Sequence, residues 1–426
     1  MGGLGMNFDI VKQKHRDSFF ENTFKFRDIC EVHNGRAYKK NELLDSGKYT
    51  VLRVGNFFSS DNWYYSDLEL DDNKYCDDGD LLFAWSASFG PKIWSGGKVI
   101  YHYHIWKLNP IETVSKNYLY YWLLYSKNKM LAGVHGSVMG HLTKDGFEKQ
   151  EISLPRLLEQ KAIARILSTL DEKIELNNKI NKTLENMAQA IFKHWFIDFE
   201  FPNEEGEPYK SSGGEMVESE LGMIPKGWEV NNLEKIIEFN PRENMKKAQE
   251  YKFVEMAALS NNLSNIEYWT KRELSGGSRF RNGDTLLARI TPCLENGKTA
   301  FVDFLADNEM AFGSTEFIIM RAKELSNKIF VYCLARDTGF RAHAIKSMSG
   351  SSGRQRVQLD LLKSYKMAQS PKRIYHSFGE ITESLFAKIS SSNRENYFLC
   401  RIRDLLLPKL MSGEIRVPLG NEDEII

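Results

Sequence analysis

The sequence contains the same long helical pattern twice, at a constant spacing. Residues 156–198 and 372–412 align without a gap at an offset of 215, and in both stretches apolar residues return every three or four positions. Identities at a fixed offset indicate an internal duplication, because a shared helical period alone explains only some of them. Any fold must therefore accommodate two copies of one unit. The identical pairs are Ile166 and Ile381, Leu170 and Leu385, Lys173 and Lys388, Ile174 and Ile389, Asn178 and Asn393, Asn181 and Asn396, and Leu184 and Leu399.

The segments in front of the helices repeat as well. Residues 78–84 resemble residues 282–288, and each segment reads as a turn that leads into a buried apolar strand. The order globule, helix, globule, helix predicts an α/β (α+β) fold with two globular domains in pseudo-twofold tandem. The predicted boundaries are 1–155 for the first domain, 156–198 for the first helix, 199–224 for a polar linker, 225–370 for the second domain, 371–418 for the second helix and 419–426 for a tail.

Both helices carry a heptad-like apolar seam with a polar middle. Asn177 and Asn181 occupy seam positions, and a buried Asn fixes the register of a helix pair because its amide needs a matching partner. The pattern predicts two antiparallel coiled-coil helices of roughly 60 Å, long enough to hold two globules about one DNA turn apart. The alternative is two ordinary core helices of a larger domain. The predicted interhelix or partner interface comprises Leu167, Leu170, Ile174, Asn177, Asn181, Leu184, Ile191, Ile381, Leu385, Ile389, Leu399 and Leu406.

The composition is that of a folded protein and gives no direct support for nucleic-acid binding. Apolar residues make up 42% and charged residues 27% of the chain. There is no transmembrane-length apolar run, no secretory h-region and no CxxC pair among the five cysteines. We therefore expect a cytoplasmic protein without a zinc site. Basic and acidic residues number 57 each, so binding to DNA requires local basic surfaces.

One segment provides such a basic surface. Residues 339–376 contain eight Lys or Arg and a single acid, Asp360. Its loop 349–356 combines glycines with Arg and Gln, which can read guanine and adenine edges; the alternative is a solvated flexible loop. Further candidates flank the two repeated strands. The predicted DNA-binding residues are Trp85, Ser86, Ser88, Lys92, Lys98, Arg279, Arg281, Arg289, Thr291, Lys298, Ser349, Ser351, Arg354, Gln355 and Arg356.

Motifs for catalysis and metal binding are missing from the sequence. There is no GxxxxGK[ST], GxSxG, HExxH or DxDxG, and residues 240–242 lack the second proline and the aromatic ring of an adenine-methyltransferase motif. His102 and His104 would share one face of a strand, but no Cys or carboxylate follows at ligand spacing, which favours a polar strand face over a metal site. We predict no catalytic or metal-binding residue.

Four segments resemble the specificity subunits of type I restriction-modification systems. Their order along the chain is specific to that family, and they span the whole sequence. The second helix departs from the pattern, because Tyr375 stands where the first helix has Gln160. The segments are 154–174, similar to the family's first conserved helix; 224–228, similar to the start of its second target-recognition domain; 350–357, similar to the end of that domain; and 405–415, similar to the C-terminal ending.

The resemblance implies two target-recognition domains, each of which reads one half of a bipartite site on double-stranded DNA. The two helices would set the gap between the halves and bind two methylation subunits, which restriction-translocation subunits then join. S-adenosylmethionine, ATP and Mg would belong to those partners, and the chain itself would be non-catalytic. Two alternatives stay open: a specificity subunit of a methylation-only assembly, and a coiled-coil scaffold that binds other proteins through its globules.

Overall fold

The chain forms two compact units, and both long helices contribute to each of them. The computed structural model describes residues 19–20, 22–58, 62–86, 89–132, 142–351 and 353–418. Unit 1 consists of Met1–Glu172 and Leu399–Ile426, and unit 2 of Lys173–Phe398. The boundaries between the units fall inside the helices, because each helix packs its two ends into different cores.

Unit 1 is built on two small sheets. One has the antiparallel order β2-β9-β6-β7, and the other has the order β4-β3-β8-β5 with β3 parallel to β8; β1 pairs with β10. Its strands are β1 (Asn22–Lys25), β2 (Cys30–Asn34), β3 (Tyr49–Leu52), β4 (Tyr64–Ser66), β5 (Tyr75–Cys76), β6 (Leu81–Ala84), β7 (Gly90–Ile93), β8 (Val99–Tyr101), β9 (Ile105–Pro110) and β10 (Glu151–Leu154), and its short helices are α1 (Phe26–Ile29), α2 (Val54–Phe58), α3 (Lys116–Ala132) and α4 (Lys144–Glu148).

Unit 2 repeats this topology. Its sheets have the orders β14-β21-β18-β19 and β16-β15-β20-β17, with β15 parallel to β20, and β13 pairs with β24. The strands are β11 (Met216–Ser219), β12 (Gly222–Pro225), β13 (Glu229–Asn232), β14 (Ile237–Phe239), β15 (Glu250–Val254), β16 (Thr270–Glu273), β17 (Ser278–Arg281), β18 (Thr285–Ala288), β19 (Thr299–Phe301), β20 (Met310–Gly313), β21 (Phe317–Ala322), β22 (Met348–Ser349), β23 (Arg356–Val357) and β24 (Lys366–Gln369), and the short helices are α6 (Lys328–Arg336), α7 (Thr338–Lys346) and α8 (Leu359–Lys363).

The repeated apolar strands β6 and β18 are buried on both faces. In β6, Phe83 packs into one core and Leu82 into another. In β18, Leu287 likewise packs into one core and Leu286 into another. Because successive side chains of a strand point to opposite faces, a strand between two cores is apolar at nearly every position, and Thr285 at the start of β18 is the one buried polar side chain in these two strands. This explains why the two segments read as continuous apolar runs instead of alternating patterns.

The long helices α5 (Leu157–Phe196) and α9 (Lys372–Met411) each contain 40 residues and start 215 positions apart. In unit 2 they run antiparallel, because Asn177 Nδ2 donates to Asn396 Oδ1 and Asn181 Nδ2 donates to Asn393 Oδ1, both at 2.8 Å. The apolar positions that follow Asn181 in α5 and precede Asn393 in α9, among them Phe192 and Ile389, are buried in the core of unit 2. The polar middle of the helices is thus an amide layer that fixes their register.

The buried face of α9 differs by one position from the predicted seam. Ile381 is 44% exposed, whereas Thr382 is fully buried, and the Thr382 hydroxyl is satisfied by the carbonyl of Phe378 at 2.8 Å. A threonine that bonds back to its own helix can occupy an apolar face, which a hydrophobicity pattern does not reveal. Of the other predicted interface residues, Leu167, Asn177, Asn181 and Ile389 are buried, and Leu170, Ile174, Leu184, Ile191, Leu385, Leu399 and Leu406 are half-buried.

Residues 199–224, predicted as a polar linker, pack into unit 2 instead. Phe201 is buried and stacks on Trp228, with 5.2 Å between ring centroids, and on Tyr209 at 4.6 Å. The segment ends in the hairpin of β11 and β12. A few aromatic anchors therefore outweigh the polar residues and chain breakers that suggested a linker. No helix in the described ranges is long and apolar enough to cross a membrane.

Candidate nucleic-acid interface

In unit 2, several loops meet at one end of the sheets. The antiparallel pairing of β14, β18 and β21 brings the ends of β14 and β18 beside the start of β21. We call this end the loop edge of unit 2 and define it as residues 240–244, 277–279, 289–291, 314–316 and 353–356.

Backbone hydrogen bonds join the members of this edge. Arg289 N donates to Glu316 O at 2.9 Å, and Thr291 N donates to Gln355 O at 3.0 Å. The β22–β23 hairpin is therefore attached directly to the loop that follows β18. This contact brings together four predicted DNA-binding residues from two loops that are more than sixty positions apart in the sequence: Arg289, Thr291, Gln355 and Arg356. The exposed Arg354 belongs to the same edge, and Ser349 and Ser351 lie on the same hairpin.

Glu316 is the electrostatic centre of this edge. Its carboxylate accepts hydrogen bonds from Arg356, at 2.9 Å from Nε and 2.6 Å from Nη2. The Arg356 guanidinium lowers the pKa of Glu316, and the carboxylate in turn raises the pKa of Arg356. Arg289 is partly committed as well, because its Nη2 donates to the Val357 carbonyl at 3.2 Å. The ion pair of Arg356 and Glu316 therefore has both side chains charged at neutral pH, and its net charge is zero.

A polar cleft of about 450 Å³ adjoins these residues on the same edge. Arg279 lies in it, and its Nη1 donates to the Glu243 carbonyl at 2.6 Å. Arg281, on the other half of β17, is exposed and 3.9 Å from the Glu243 carboxylate. The cleft is lined by Asn240, Pro241, Arg242, Glu243, Asn244, Gly277, Ser278, Arg279 and Ile319.

Unit 1 has an equivalent loop edge, formed by residues 35–38, 85–86 and 102–104. Trp85 N donates to His104 O at 3.1 Å, and Tyr103 N donates to Arg36 O at 3.0 Å. The Trp85 ring stacks on Trp106, with 5.6 Å between centroids. This edge presents aromatic and imidazole groups where unit 2 presents arginine and glutamate, so the two units offer different chemistry from the same topology.

His102 and His104 lie on the turn between β8 and β9, not on a strand face as predicted. Their rings are 4.8 Å apart. Burial lowers the pKa of His102 to about 4, with smaller contributions from His104 and Arg53. His102 is therefore a neutral imidazole at neutral pH, able to donate and accept hydrogen bonds.

Other predicted DNA-binding residues have structural partners or lie away from the loop edges. Lys92 Nζ donates to the Phe57 carbonyl at 2.9 Å, and burial lowers its pKa. Lys298 Nζ donates to the carbonyls of Met256 and Leu259. Ser86 is buried, and Ser88 lies outside the described residues. These placements argue against direct DNA contacts by Lys92 and Lys298.

Lys98 lies at the opposite end of the unit 1 sheets from Trp85. It follows a turn whose glycine amides, at Gly96 and Gly97, donate to Asp78 Oδ1 at 2.6 and 2.8 Å. These two hydrogen bonds lower the pKa of Asp78. Lys98 thus shares its end of the sheet with the carboxylates of Asp77, Asp78 and Asp80, which would repel a phosphate.

Half of the basic side chains in segment 339–376 form ion pairs, three of them with acids from elsewhere in unit 2 and one with Asp360 inside the segment. In the described parts of the chain, Arg341, Lys346, Arg354 and Arg373 make no ion pair. Arg341 is half-buried and donates to the carbonyls of Leu294 and Glu295, so Lys346, Arg354 and Arg373 are the segment's available positive charge. A count along the sequence could not show the three pairs with acids outside the segment, because Glu220, Glu316 and Glu324 are distant in sequence from the basic residues they contact. The pairs are Arg356 with Glu316, Lys363 with Asp360, Lys366 with Glu220, and Lys372 with Glu324.

Sequence reasoning missed Glu316, Arg36 and Tyr103 as members of the loop edges. A search for positive charge passes over acidic residues, so Glu316 carried no signal of its own. The duplication did offer one signal. The turns after β8 and β20 are equivalent in the two units, and His102–His104 and residues 314–316 could have been compared directly.

The Glu159-Gln160 motif of α5 has a structural role inside unit 1. Gln160 Oε1 accepts from Ser115 N and its Nε2 donates to Pro155 O, both at 2.9 Å. Glu159 is buried and accepts from Arg416 Nε at 2.6 Å. These contacts hold the start of α5 to its own unit. At the equivalent place in α9, Tyr375 is buried by aromatic packing instead.

Comparisons with known proteins agree with this architecture. Residues 20–186 match the family described as type I restriction modification DNA specificity domain. The predicted resemblance to the specificity subunits of type I restriction-modification systems is thereby confirmed.

Its relatives are similar over most of its length. Over 335 residues it is 29% identical to the type I restriction enzyme MjaIX specificity subunit of Methanocaldococcus jannaschii, covering 72% of this chain and 71% of that protein. The HindI specificity subunit of Haemophilus influenzae is 25% identical over 67% of this chain and 74% of its own length. A crystal structure of the type I restriction-modification S subunit from M. genitalium aligns with a TM-score of 0.53 at 15% identity, covering 92% of this chain and 96% of that one. This likeness confirms the mixed fold.

Proposed function

We propose that this chain is the DNA-specificity subunit of a type I restriction-modification complex and binds a bipartite site on double-stranded DNA. The observation that carries the proposal is the pair of equivalent loop edges with different side chains. A duplicated fold with one edge of Trp85, His102 and His104 and another of Arg289 and Arg356 suits two half-sites of different sequence, because base edges are read by side-chain hydrogen bonds.

The remaining tasks of the complex belong to partner proteins. Two methylation subunits would bind the helical part and supply S-adenosylmethionine chemistry, and restriction subunits would supply ATP-driven translocation and cleavage. Exposed apolar side chains on the helices, among them Leu176, Met187, Phe398 and Leu405, are available for such contacts. The globules of units 1 and 2 would then be the two target-recognition domains, and the chain itself would remain non-catalytic.

Methylation mapping tests the proposal. The chain is co-expressed with a methylation subunit in a host without other adenine methylation, and methylated adenines are mapped across the genome. We expect a motif of two short sequences separated by a gap of fixed length. A single uninterrupted motif, or methylation unaffected by removal of this chain, would refute the assignment and favour the scaffold alternative.

A further inference from the structure

We propose that Arg356 reads a guanine in one half-site and that Glu316 positions it for that contact. The inference rests on the proposed function and names the specificity-determining pair of unit 2. It follows from the way the two side chains meet at the loop edge.

The ion pair occupies only one side of the guanidinium. Arg356 Nε lies 3.0 and 2.9 Å from the two carboxylate oxygens of Glu316, and Nη2 lies 2.6 Å from Oε1. These contacts use the side formed by Nε and Nη2. A guanidinium has five N–H donors, and in the described parts of the chain no further hydrogen bond to this one is present. The end formed by Nη1 and Nη2 remains available.

The available end matches guanine. Two parallel N–H groups fit the O6 and N7 acceptors of guanine in the major groove, and this bidentate contact is the commonest specific one between arginine and DNA. The Arg356 side chain is 49% exposed and that of Glu316 only 21%, so the carboxylate is the more enclosed partner. Glu316 therefore restricts the rotation of the guanidinium before DNA arrives, which lowers the entropy cost of ordering a long side chain.

Charge distinguishes this role from a phosphate contact. Because the carboxylate offsets the guanidinium, the pair contributes little to the attraction of the DNA backbone, whereas its donors are fixed in direction. Arg354 is the contrasting case. It is exposed and makes no ion pair among the described residues, which suits contact with phosphate. Two arginines of the same hairpin thus receive different tasks.

The test is a selection of double-stranded oligonucleotides with a random stretch, using the full chain in complex with its methylation subunit. The wild type, Arg356→Ala, Arg356→Lys, Glu316→Gln and Arg354→Ala are compared, and thermal unfolding confirms that each variant folds. For Arg356→Ala we expect about a 5- to 150-fold loss of preference for guanine at one position of one half-site, with the other half-site unchanged. Arg356→Lys should also lose preference, since an ammonium group lacks the fork.

The other two variants separate positioning from phosphate binding. Glu316→Gln should weaken the preference at that same position without altering the others. Arg354→Ala should lower affinity for all sequences alike and reduce the slope of log affinity against log salt by about 1.

Unchanged guanine preference in a folded Arg356→Ala variant would overturn the inference, as would a uniform loss at every position. A wild-type complex that selects no split motif would instead overturn the proposed function itself.

Discussion

Replacement of Gln160 by leucine should destabilise unit 1 strongly, because this buried side chain forms hydrogen bonds with backbone groups of two separate segments, at residues 113–115 and at Pro155. It is 2% exposed. Its amide satisfies Ser115 N–H and Pro155 C=O at 2.9 Å each, with a longer contact of 3.4 Å to Thr113 O. Leucine has nearly the same volume but no hydrogen-bonding group, so the substitution isolates the loss of these bonds.

The magnitude follows from the groups left without partners. A buried donor or acceptor that loses its partner costs about 1–3 kcal/mol, and two such groups remain after the substitution. Burial of the added apolar surface offsets about 1–2 kcal/mol. Taking the middle of each range, we expect the free energy of unfolding to fall by about 2–3 kcal/mol. Gln189 on the same helix is a suitable control, since it is half-buried and makes one hydrogen bond of 3.1 Å to Cys333 O; Gln189→Leu should cost about 1 kcal/mol or less.

Urea unfolding followed by tryptophan fluorescence measures the difference. Five of the eight tryptophans lie within unit 1, so its unfolding dominates the signal. If the free energy of unfolding of Gln160→Leu falls by less than about 1 kcal/mol, or by no more than that of the control, the hydrogen bonds of this amide to the backbone do not hold α5 in place.

Three further perturbations test the helix register, the imidazole cluster and the orientation of the DNA. Asn181→Leu should lower the free energy of unfolding by about 1 kcal/mol, because the Asn393 amide loses its hydrogen-bond partner. Adding Asn393→Leu should restore most of the lost stability. A double variant that is no more stable than the single one would contradict the amide layer. Because burial holds the pKa of His102 at about 4 instead of 6.5, the unfolded chain binds its proton first, so stability should fall as pH drops from 6.5 to 4. The thermal midpoint of His102→Gln should depend less steeply on pH in that window than the midpoint of the wild type. An equally steep dependence would contradict the low pKa of His102. Lys98→Ala should leave DNA affinity unchanged in a gel-shift assay, whereas Arg354→Ala should weaken it; the reverse result would place DNA at the other end of the sheets.

Much of the architecture could be predicted from the sequence, because periodicity and duplication are local properties of the chain. The offset of 215 predicted two equivalent helices, and α5 and α9 start at that offset. The buried strands β6 and β18 were recognisable as apolar runs after a turn. Asn177 and Asn181 indicated a polar layer between helices, since an amide on an apolar seam requires a partner.

The loop edges depended on tertiary structure, because they join residues that are distant along the chain. The sequence by itself determined that the fold contains two copies of one unit and that arginines cluster near 349–356. Only the folded chain decided that Glu316 holds Arg356 and that Glu220 and Glu324 pair with Lys366 and Lys372 of the basic segment. It also placed Lys98 beside Asp78, away from the edge that carries Trp85. The physical reason is that charge and hydrogen bonding act through space, over a few ångströms, whereas a sequence pattern records only order along the backbone.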